Sequence, residues 1–166
     1  MTKLECKEWQ RKNNMKNLPL DQSPKQEKST KPKMKYFNKR VYVYKGGQIS
    51  LEKDDNLGPL IEVYDSIKEY HRGTELKKLE CSGEIHELRH HVQLLIQEGF
   101  LYRGKRISPI YYVADYVYTD KNGNTVVEDV KGYDKKRKRF RTTPDFNLKW
   151  KLLKYRYPEY FFTMHQ

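Results

Sequence analysis

Cysteine is scarce in this 166-residue sequence, and long hydrophobic runs are absent from it. Cys6 and Cys81 are its two cysteines, and they do not form the closely spaced pairs typical of zinc or redox sites. With no recognisable secretory signal, a reducing cytoplasm with free thiols is the expected environment. No apolar run approaches the roughly 20 residues that cross a bilayer, so we expect no membrane contact.

Positive charge is unevenly distributed along the chain. The net charge is +12, and residues 1–40 carry 12 Lys and Arg against 4 Asp and Glu. Residues 131–156 carry 11 against 2, whereas residues 41–130 carry 11 against 15. Two basic segments flanking an acidic centre suit a polyanion partner such as DNA, whose phosphates would meet lysines around a metal-binding pocket.

The first 34 residues are rich in Lys, Asn, Gln, Ser and Pro and show no sustained hydrophobic periodicity. Such a segment buries too little apolar surface to offset the entropy of ordering, so residues 1–34 are predicted to be a basic flexible tail. Within it, Leu4–Met15 could form a short helix or a docking segment for a partner. Residues 35–166 are predicted to form one folded domain.

The stretch Tyr111–Lys131 is typical of a β-hairpin, because two runs rich in Tyr and Val flank an Asn-Gly turn pair. A two-residue turn would place Asp115 and Asp129 on opposite faces, since antiparallel partners share a face and side chains alternate. A three-residue turn with Gly123 in the left-handed conformation places the two aspartates opposite each other. We expect the second register, which also puts Lys131 on their face.

Two carboxylates beside an ammonium group are costly in a core and useful at a metal site. Mg²⁺ prefers carboxylate and water oxygens in octahedral geometry and usually also binds a substrate phosphate. A lysine at such a site can orient or deprotonate an attacking water, or stabilise charge that develops on the phosphate. The alternative is an exposed hairpin whose charged side chains face solvent, as most charged residues do.

A third acid lies in a predicted helix. Ser66 and Glu69 match a capping box, and the helix is expected to run to about Ser82 and to end at Gly83. Glu69 therefore has a structural explanation, in which its side chain reaches back to the Ser66 amide.

Three histidines at positions 86, 90 and 91 raise the possibility of zinc, because residues 86 and 90 would share one face of a helix. No convincing set of further ligands is evident, and mixtures of His, Glu and Arg are more often solvated surface. We therefore prefer a strand from Leu88 to Ile96 and assign no zinc site.

The strongest nucleic-acid signal follows the hairpin. It is a basic cluster interleaved with Phe140, made of Lys135, Lys136, Arg137, Lys138, Arg139 and Arg141. A solvated charged loop or a localisation-like patch is the alternative interpretation. A following helix capped by Thr143 leaves Lys149 and Lys151 available for phosphates.

From about Lys35 to Thr163, the chain resembles the PD-(D/E)xK nuclease superfamily, and within it the phage and prophage endonucleases similar to Holliday junction resolvases. The segments that carry the resemblance are KYFNKRV, YDSIKEY, LKKLECSGEI, YYVADYVY, VVEDVKG and LKWKLLKYRYP. The Asp-x13-Asp-x-Lys spacing alone is a weak signal. Its position behind YDSIKE and before a basic helix makes it more specific.

The resemblance implies an α/β protein of the α+β kind, with a mixed sheet flanked by helices and a restriction-endonuclease-like core. It implies Asp115 and Asp129 as ligands of Mg²⁺ or Mn²⁺, Lys131 as the catalytic lysine, and Glu69 as an acid that aligns the site or reaches the metal through water. The backbone carbonyl of Val130 would complete the metal site. The implied reaction is hydrolysis of phosphodiester bonds in branched or replicating DNA of a phage or mobile element, in the cytoplasm of a bacterium or an infected cell.

Two other functions stay open. The protein could keep this fold as a non-catalytic DNA-binding or host-interaction protein, or it could be a transposition-type nuclease that cuts DNA ends together with partner proteins. A homodimer is expected if a four-way junction is cut symmetrically, because two-fold symmetry places two sites on opposed strands.

Overall fold

The computed structural model describes residues 39–166, which form two compact units, residues 39–67 and 68–166. The predicted tail of residues 1–34 and the short helix predicted within it lie outside the described residues. Within residues 39–166, no helix is both long and apolar enough to cross a bilayer. Helices and several small sheets are present, so the predicted mixed α and β composition is confirmed.

The first unit contains a three-stranded antiparallel sheet in the order β2-β1-β3. Its strands are β1 (Val41–Tyr44), β2 (Ile49–Ser50) and β3 (Leu60–Tyr64). The alternating sequence of β1 predicts a strand, and Gly46 and Gly47 turn the chain into β2 as expected. β3 was not predicted, since its run LIEVY follows a loop-like segment and does not alternate apolar with polar residues.

The second unit is built on a mixed four-stranded sheet in the order β11-β8-β7-β4. Its strands are β4 (Ile85–Gln97), β7 (Ile110–Asp120), β8 (Thr125–Val130) and β11 (Phe161–His165). The β4–β7 and β7–β8 pairs are antiparallel, and β11 runs parallel to β8. β4 confirms the preference for a strand in the histidine-containing segment.

The β7–β8 hairpin has the predicted register, in which two aspartates come next to each other at the end of the paired region. Val117 pairs with Val127 as expected, and the ladder ends at the pair of Tyr116 with Glu128, so that Asp115 and Asp129 each follow directly beyond it. The Asp120 amide donates to the Asn124 carbonyl at 2.9 Å, so the turn consists of three residues, 121–123, and Gly123 has a φ of 84°. The Gly123 amide donates to the carbonyl of Asp120 at 3.0 Å. The predicted turn and register are therefore confirmed.

The first helix, α1 (Ile67–Ser82), ends where the sequence predicts. Gly83 has a φ of 81°, and its amide donates to the Glu80 carbonyl at 3.1 Å. The Glu84 amide donates to the Leu79 carbonyl at 2.9 Å, which completes a Schellman motif. The left-handed glycine thus stops the helix and directs the chain into β4.

A buried ion pair joins α1 to β8. The Arg72 guanidinium donates to both oxygens of Glu128, at 2.5 and 2.9 Å, and the Tyr118 hydroxyl donates to the same carboxylate at 3.0 Å. Burial alone would lower the pKa of Arg72, but hydrogen bonding to Glu128 and its negative charge outweigh burial and raise that pKa. This carboxylate, 1% exposed, is therefore fully paired.

The second helix, α2 (Pro144–Arg156), provides the aromatic part of the core. The Thr143 hydroxyl accepts a hydrogen bond from the Phe146 amide at 3.2 Å, as the predicted cap requires. Phe146, Trp150 and Leu153 are buried, which confirms the predicted inward face. The Phe146 and Trp150 rings stack, and the ring of Tyr112 from β7 packs against both with centroid distances of 6.1 and 5.8 Å.

Three expectations are corrected by the structure. The predicted loop 103–109 contains a strand, β6 (Lys105–Ile107), which pairs with β5 (Phe100–Tyr102) in an exposed hairpin. The last strand, β11, lies at a sheet edge with Phe161 58% exposed, so it is not a fully buried strand. Cys81 is disulfide-bonded, so the expectation of free thiols is wrong there.

The hairpin turn gives a test of the register. A Cβ added at Gly123 would meet no atom within 4 Å, so only the left-handed backbone opposes a side chain there. Gly123→Ala should lower the free energy of unfolding by about 1 kcal/mol, and Gly123→Asn by less, because Asn tolerates this conformation better. Urea unfolding measures both, with Lys121→Ala in the same turn as the control. A neutral Gly123→Ala variant would contradict the three-residue turn.

Candidate active site

Two aspartates from neighbouring strands form the centre of the candidate site. Asp115 lies in β7 and Asp129 in β8, and Asp129 is 1% exposed. The Val130 amide donates to Asp115 Oδ2 at 2.7 Å, so a backbone group fixes this carboxylate across the hairpin. The hairpin register thus converts a spacing of 14 residues in the sequence into a direct neighbourhood.

Lys131 and Tyr112 complete the surroundings of Asp129. The Tyr112 hydroxyl donates to Asp129 Oδ1. The Lys131 ammonium forms an ion pair with Oδ2, which is buried and accepts no hydrogen bond of regular geometry. The same ammonium lies 4.7 Å from the centre of the Phe146 ring, a cation–π distance. α2 therefore contributes to the placement of the lysine.

Negative charge exceeds positive charge around the aspartates. Burial and then the charge of Asp129 raise the pKa of Asp115 from 3.8 to about 7, and the charge of Glu69 adds to the increase. The Val130 amide and Lys131 act in the opposite direction but do not cancel it. Burial and the charge of Asp129 also raise the pKa of Tyr112, which keeps its hydroxyl a donor. A cation bound here would relieve this repulsion.

Glu69, in the first turn of α1, contacts two histidines of β4. Its Oε1 lies 2.7 Å from His90 Nε2 and 2.9 Å from His91 Nε2, and the residue is 3% exposed. The Tyr116 hydroxyl donates to the Glu69 carbonyl at 2.6 Å, which fixes the backbone of α1 against β7. Among the described residues, this trio is a group whose donor atoms lie within 4.8 Å of one another, close enough to hold a metal.

An unusual backbone conformation makes the histidine contacts possible. Neighbouring residues of a regular strand point to opposite faces of the sheet. His90 and His91 nevertheless both reach Glu69, and their rings stack with a centroid distance of 3.7 Å. His91 has a φ of 52°, in the left-handed region that a strand residue rarely adopts. Strain of this kind is concentrated at functional sites.

The structure brings together the four residues that the resemblance implies. Asp115, Asp129 and Lys131 lie on one hairpin, and Glu69 is close enough for its charge to raise the pKa of Asp115. The carbonyl of Val130 lies between two of them in the chain. Glu69 Oε1 faces the two histidines, a contact that the capping-box interpretation does not include.

The predicted phosphate-binding residues lie on two elements. Strands β9 (Tyr133–Asp134) and β10 (Arg139–Phe140) form a small hairpin, and the Arg141 amide closes its base by donating to the Gly132 carbonyl at 2.7 Å. The six basic residues of the cluster are exposed there: Lys135, Lys136, Arg137, Lys138, Arg139 and Arg141. On α2, Lys151 is exposed, whereas the Lys149 ammonium pairs with Asp145 at 3.2 Å.

Sequence reasoning missed three contributors to the site. Tyr112 gave no signal, because tyrosine is ordinary in a strand. His90 and His91 were set aside because their further ligand, Glu69, lies 21 and 22 residues earlier in the chain. Finding them would have required a prediction that β4 packs against the helix before it.

Fold and site together define a mixed α+β protein with a partly buried cluster of acids and a lysine on its sheet. Residues 61–165, more than half of the chain, match the model of a family described as "Protein of unknown function (DUF1064)". The chain belongs to this family. Comparisons with curated proteins and with solved structures give no match.

The raised pKa of Asp115 predicts how stability depends on pH. Between pH 3.8 and about 7, the unfolded chain has lost a proton that folded Asp115 retains, so raising the pH through this range favours unfolding. Asp115→Asn keeps an acceptor for the Val130 amide and removes this penalty. In metal-free protein it should raise the free energy of unfolding by on the order of 2 to 4 kcal/mol at pH 8, and by little near pH 4.

Urea unfolding in the presence of chelator at both pH values measures this difference. Asp55→Asn, the same change at an exposed aspartate, is the matched control. An equal gain at both pH values would show that Asp115 is not under electrostatic strain.

Proposed function

We propose that this protein is a metal-dependent endonuclease that hydrolyses phosphodiester bonds in branched or replicating DNA, on a restriction-endonuclease-like core. The observation that carries the proposal is the convergence of Asp115, Asp129 and Lys131 at one partly buried point, with Glu69 close enough for its charge to act on Asp115. A binding module has no need for two repelling carboxylates, since their burial costs stability. The strain is explained if a cation is a normal occupant.

The donor set fits a hard divalent cation. Carboxylate oxygens are the ligands that Mg²⁺ and Mn²⁺ prefer, and the raised pKa of Asp115 indicates excess negative charge. Asp115, Asp129 and the Val130 carbonyl would hold the ion, with Glu69 directly or through water. When bound, the ion would supply a Lewis acid and a water of lowered pKa.

The protein's own groups would organise the reaction around these ligands. The Val130 amide and the Tyr112 hydroxyl each fix one oxygen of an aspartate, so the carboxylates are oriented before substrate arrives. Lys131, placed by Asp129 and the Phe146 ring, is positioned to stabilise negative charge on a phosphate. Tyr112 therefore acts as a positioning residue.

The basic hairpin supports DNA as the substrate. It begins two residues after Lys131, so its base is held next to the acid cluster by the chain itself. Lys135–Lys138 form its exposed tip. Phosphate contacts from such a tip give affinity without reading base sequence. The proposal therefore includes selectivity for DNA shape, and a homodimer is its natural form for cutting a junction symmetrically.

Cleavage of labelled four-way junction, flap, duplex and single-stranded DNA with Mg²⁺ or Mn²⁺ tests the proposal. Wild-type protein should cut branched DNA and lose this activity in chelator. Asp129→Asn and Lys131→Met should each lower the rate by roughly 10²-fold or more, because each removes a preorganised charge at the reacting phosphate. Asp55→Asn and Lys78→Met make the same chemical changes at exposed positions outside the site.

A binding-only protein would behave differently in this assay. The nuclease proposal would be overturned if the wild-type protein binds DNA but cuts it with neither metal, and if the variants bind DNA like wild type. Cutting that Asp129→Asn and Lys131→Met retain would indicate a contaminating nuclease.

The salt dependence of DNA binding tests the role of the hairpin tip. Lys135→Ala, Lys136→Ala and Lys138→Ala combined should make the slope of log K against log salt concentration shallower by about 3, because each phosphate contact contributes about 0.9. Replacing three other exposed lysines by Ala, at Lys53, Lys78 and Lys121, removes the same charge elsewhere. Equal slopes for the two triple variants would mean that net charge, and not the hairpin, binds DNA.

A further inference from the structure

We propose that Glu69, His90 and His91 form a binding site for a transition-metal ion such as Zn²⁺, which shares Glu69 with the aspartate site and differs from it in its two imidazole ligands. Each residue offers one donor atom, and the three atoms lie within 4.8 Å of one another. Both imidazoles present Nε2 to the same carboxylate oxygen, at 2.7 and 2.9 Å. Two imidazoles and one carboxylate are the donor set of many catalytic zinc sites.

The spacing of the donors is close to what a bound ion requires. Zinc lies about 2.0–2.1 Å from nitrogen and oxygen ligands, so two ligands in tetrahedral geometry are roughly 3.3 Å apart. The observed contacts of 2.7 and 2.9 Å therefore need to lengthen by roughly half an ångström to admit the ion. Rotation of the partly exposed imidazoles, with side chains 18% and 37% exposed, can supply this change.

The backbone of β4 is distorted in the way that such a site needs. A regular strand would place His90 and His91 on opposite faces, and the positive φ of His91 brings both rings to Glu69. The Tyr116 ring stacks on His90 with a centroid distance of 5.2 Å, and the Tyr116 hydroxyl holds the Glu69 carbonyl. One tyrosine thus supports ligands from both elements. Support of this kind orients metal ligands in known sites.

The donor type selects the metal. Imidazole nitrogen favours Zn²⁺, Co²⁺, Ni²⁺ and Cu²⁺, whereas Mg²⁺ prefers oxygen ligands. The group of Glu69 and the two histidines should therefore bind Zn²⁺ or Co²⁺ even in excess Mg²⁺. The Mg²⁺ would bind to the aspartate pair. Three protein ligands leave at least one position open to water, as in catalytic sites. The inference stands on these donors alone and holds whether or not the protein cuts DNA.

Titration with Co²⁺ tests the inference, because this ion absorbs visible light according to its ligands and replaces Zn²⁺. The full-length protein, without a polyhistidine tag, is titrated in millimolar Mg²⁺ and then back-titrated with Zn²⁺. We expect one Co²⁺ to bind to each chain and to absorb visible light as an ion with four or five nitrogen and oxygen ligands does. Added Zn²⁺ should displace the Co²⁺ and abolish this absorption. His90→Gln and His91→Gln should each weaken binding by more than tenfold.

Two further variants separate this site from metal binding elsewhere on the protein. His86→Gln makes the same change at an exposed histidine of the same strand, and it should bind Co²⁺ like wild type. The double variant Asp115→Asn, Asp129→Asn should also retain Co²⁺ binding, because its changes leave all three ligands in place. Circular dichroism in chelator establishes whether each variant is folded. If His90→Gln does not fold, His91→Gln, which changes a more exposed residue, tests the site alone.

The opposite pattern would overturn the inference. Co²⁺ binding that folded His90→Gln and His91→Gln retain would assign the ion to other ligands. Binding that the double aspartate variant loses and both histidine variants keep would assign it to the aspartate pair. No DNA is present in these titrations, so a negative result here would not contradict the nuclease proposal, which the DNA cleavage assay tests separately.

Discussion

The imbalance of charge on the buried face of the β7–β8 hairpin is the constraint on which the rest of the candidate site depends. Burying a carboxylate is unfavourable unless it is paired, and β8 presents two of them in succession, Glu128 and Asp129. Alternation sends them to opposite faces, where they meet different surroundings. Arg72 binds Glu128 with two hydrogen bonds. Asp129 instead shares the single positive charge of Lys131 with Asp115, and the negative charge of Glu69 also acts on Asp115.

This difference separates an acid with a structural role from the acids of the candidate site. The Arg72–Glu128 pair satisfies its charges, and removing either partner would leave a buried charge alone. The Asp115–Asp129 pair has hydrogen-bond partners, but Lys131 does not balance its negative charge, and the pKa of Asp115 is raised to about 7. Perturbed carboxyl groups with a specific charged partner are the physical signature of sites that bind cations or transfer protons.

Much of this arrangement could be predicted from local sequence rules. The Asn-Gly turn, the alternating residues of the hairpin and the cap at Thr143 are short-range features, and each is found as expected. The hairpin register brought Asp115, Asp129 and Lys131 together without any long-range information. Gly83 likewise fixed the end of α1 through its own conformational freedom.

The rest could not be predicted because it depends on contacts between distant elements. Nothing local to Arg72 indicates that it lies against Glu128, 56 residues later. The predicted strand gave no reason to join His90 and His91, because alternation places neighbouring residues on opposite faces and only the positive φ at His91 cancels it. β6 is too short for a periodic pattern to distinguish it from a loop, and the sequence of β3 does not alternate.

The position of Glu69 connects the two donor sets that the structure presents. Its charge acts on Asp115, and its Oε1 contacts both histidines, so one buried side chain belongs to an oxygen-rich group and to an imidazole-containing group. Oxygen donors favour hard cations and imidazoles favour transition metals, so the two groups differ in the ion that each prefers. A cation on either side would lower the repulsion felt by Asp115, because Glu69 contributes to it. Occupancy of the two groups is therefore expected to be coupled through the charge of this single carboxylate.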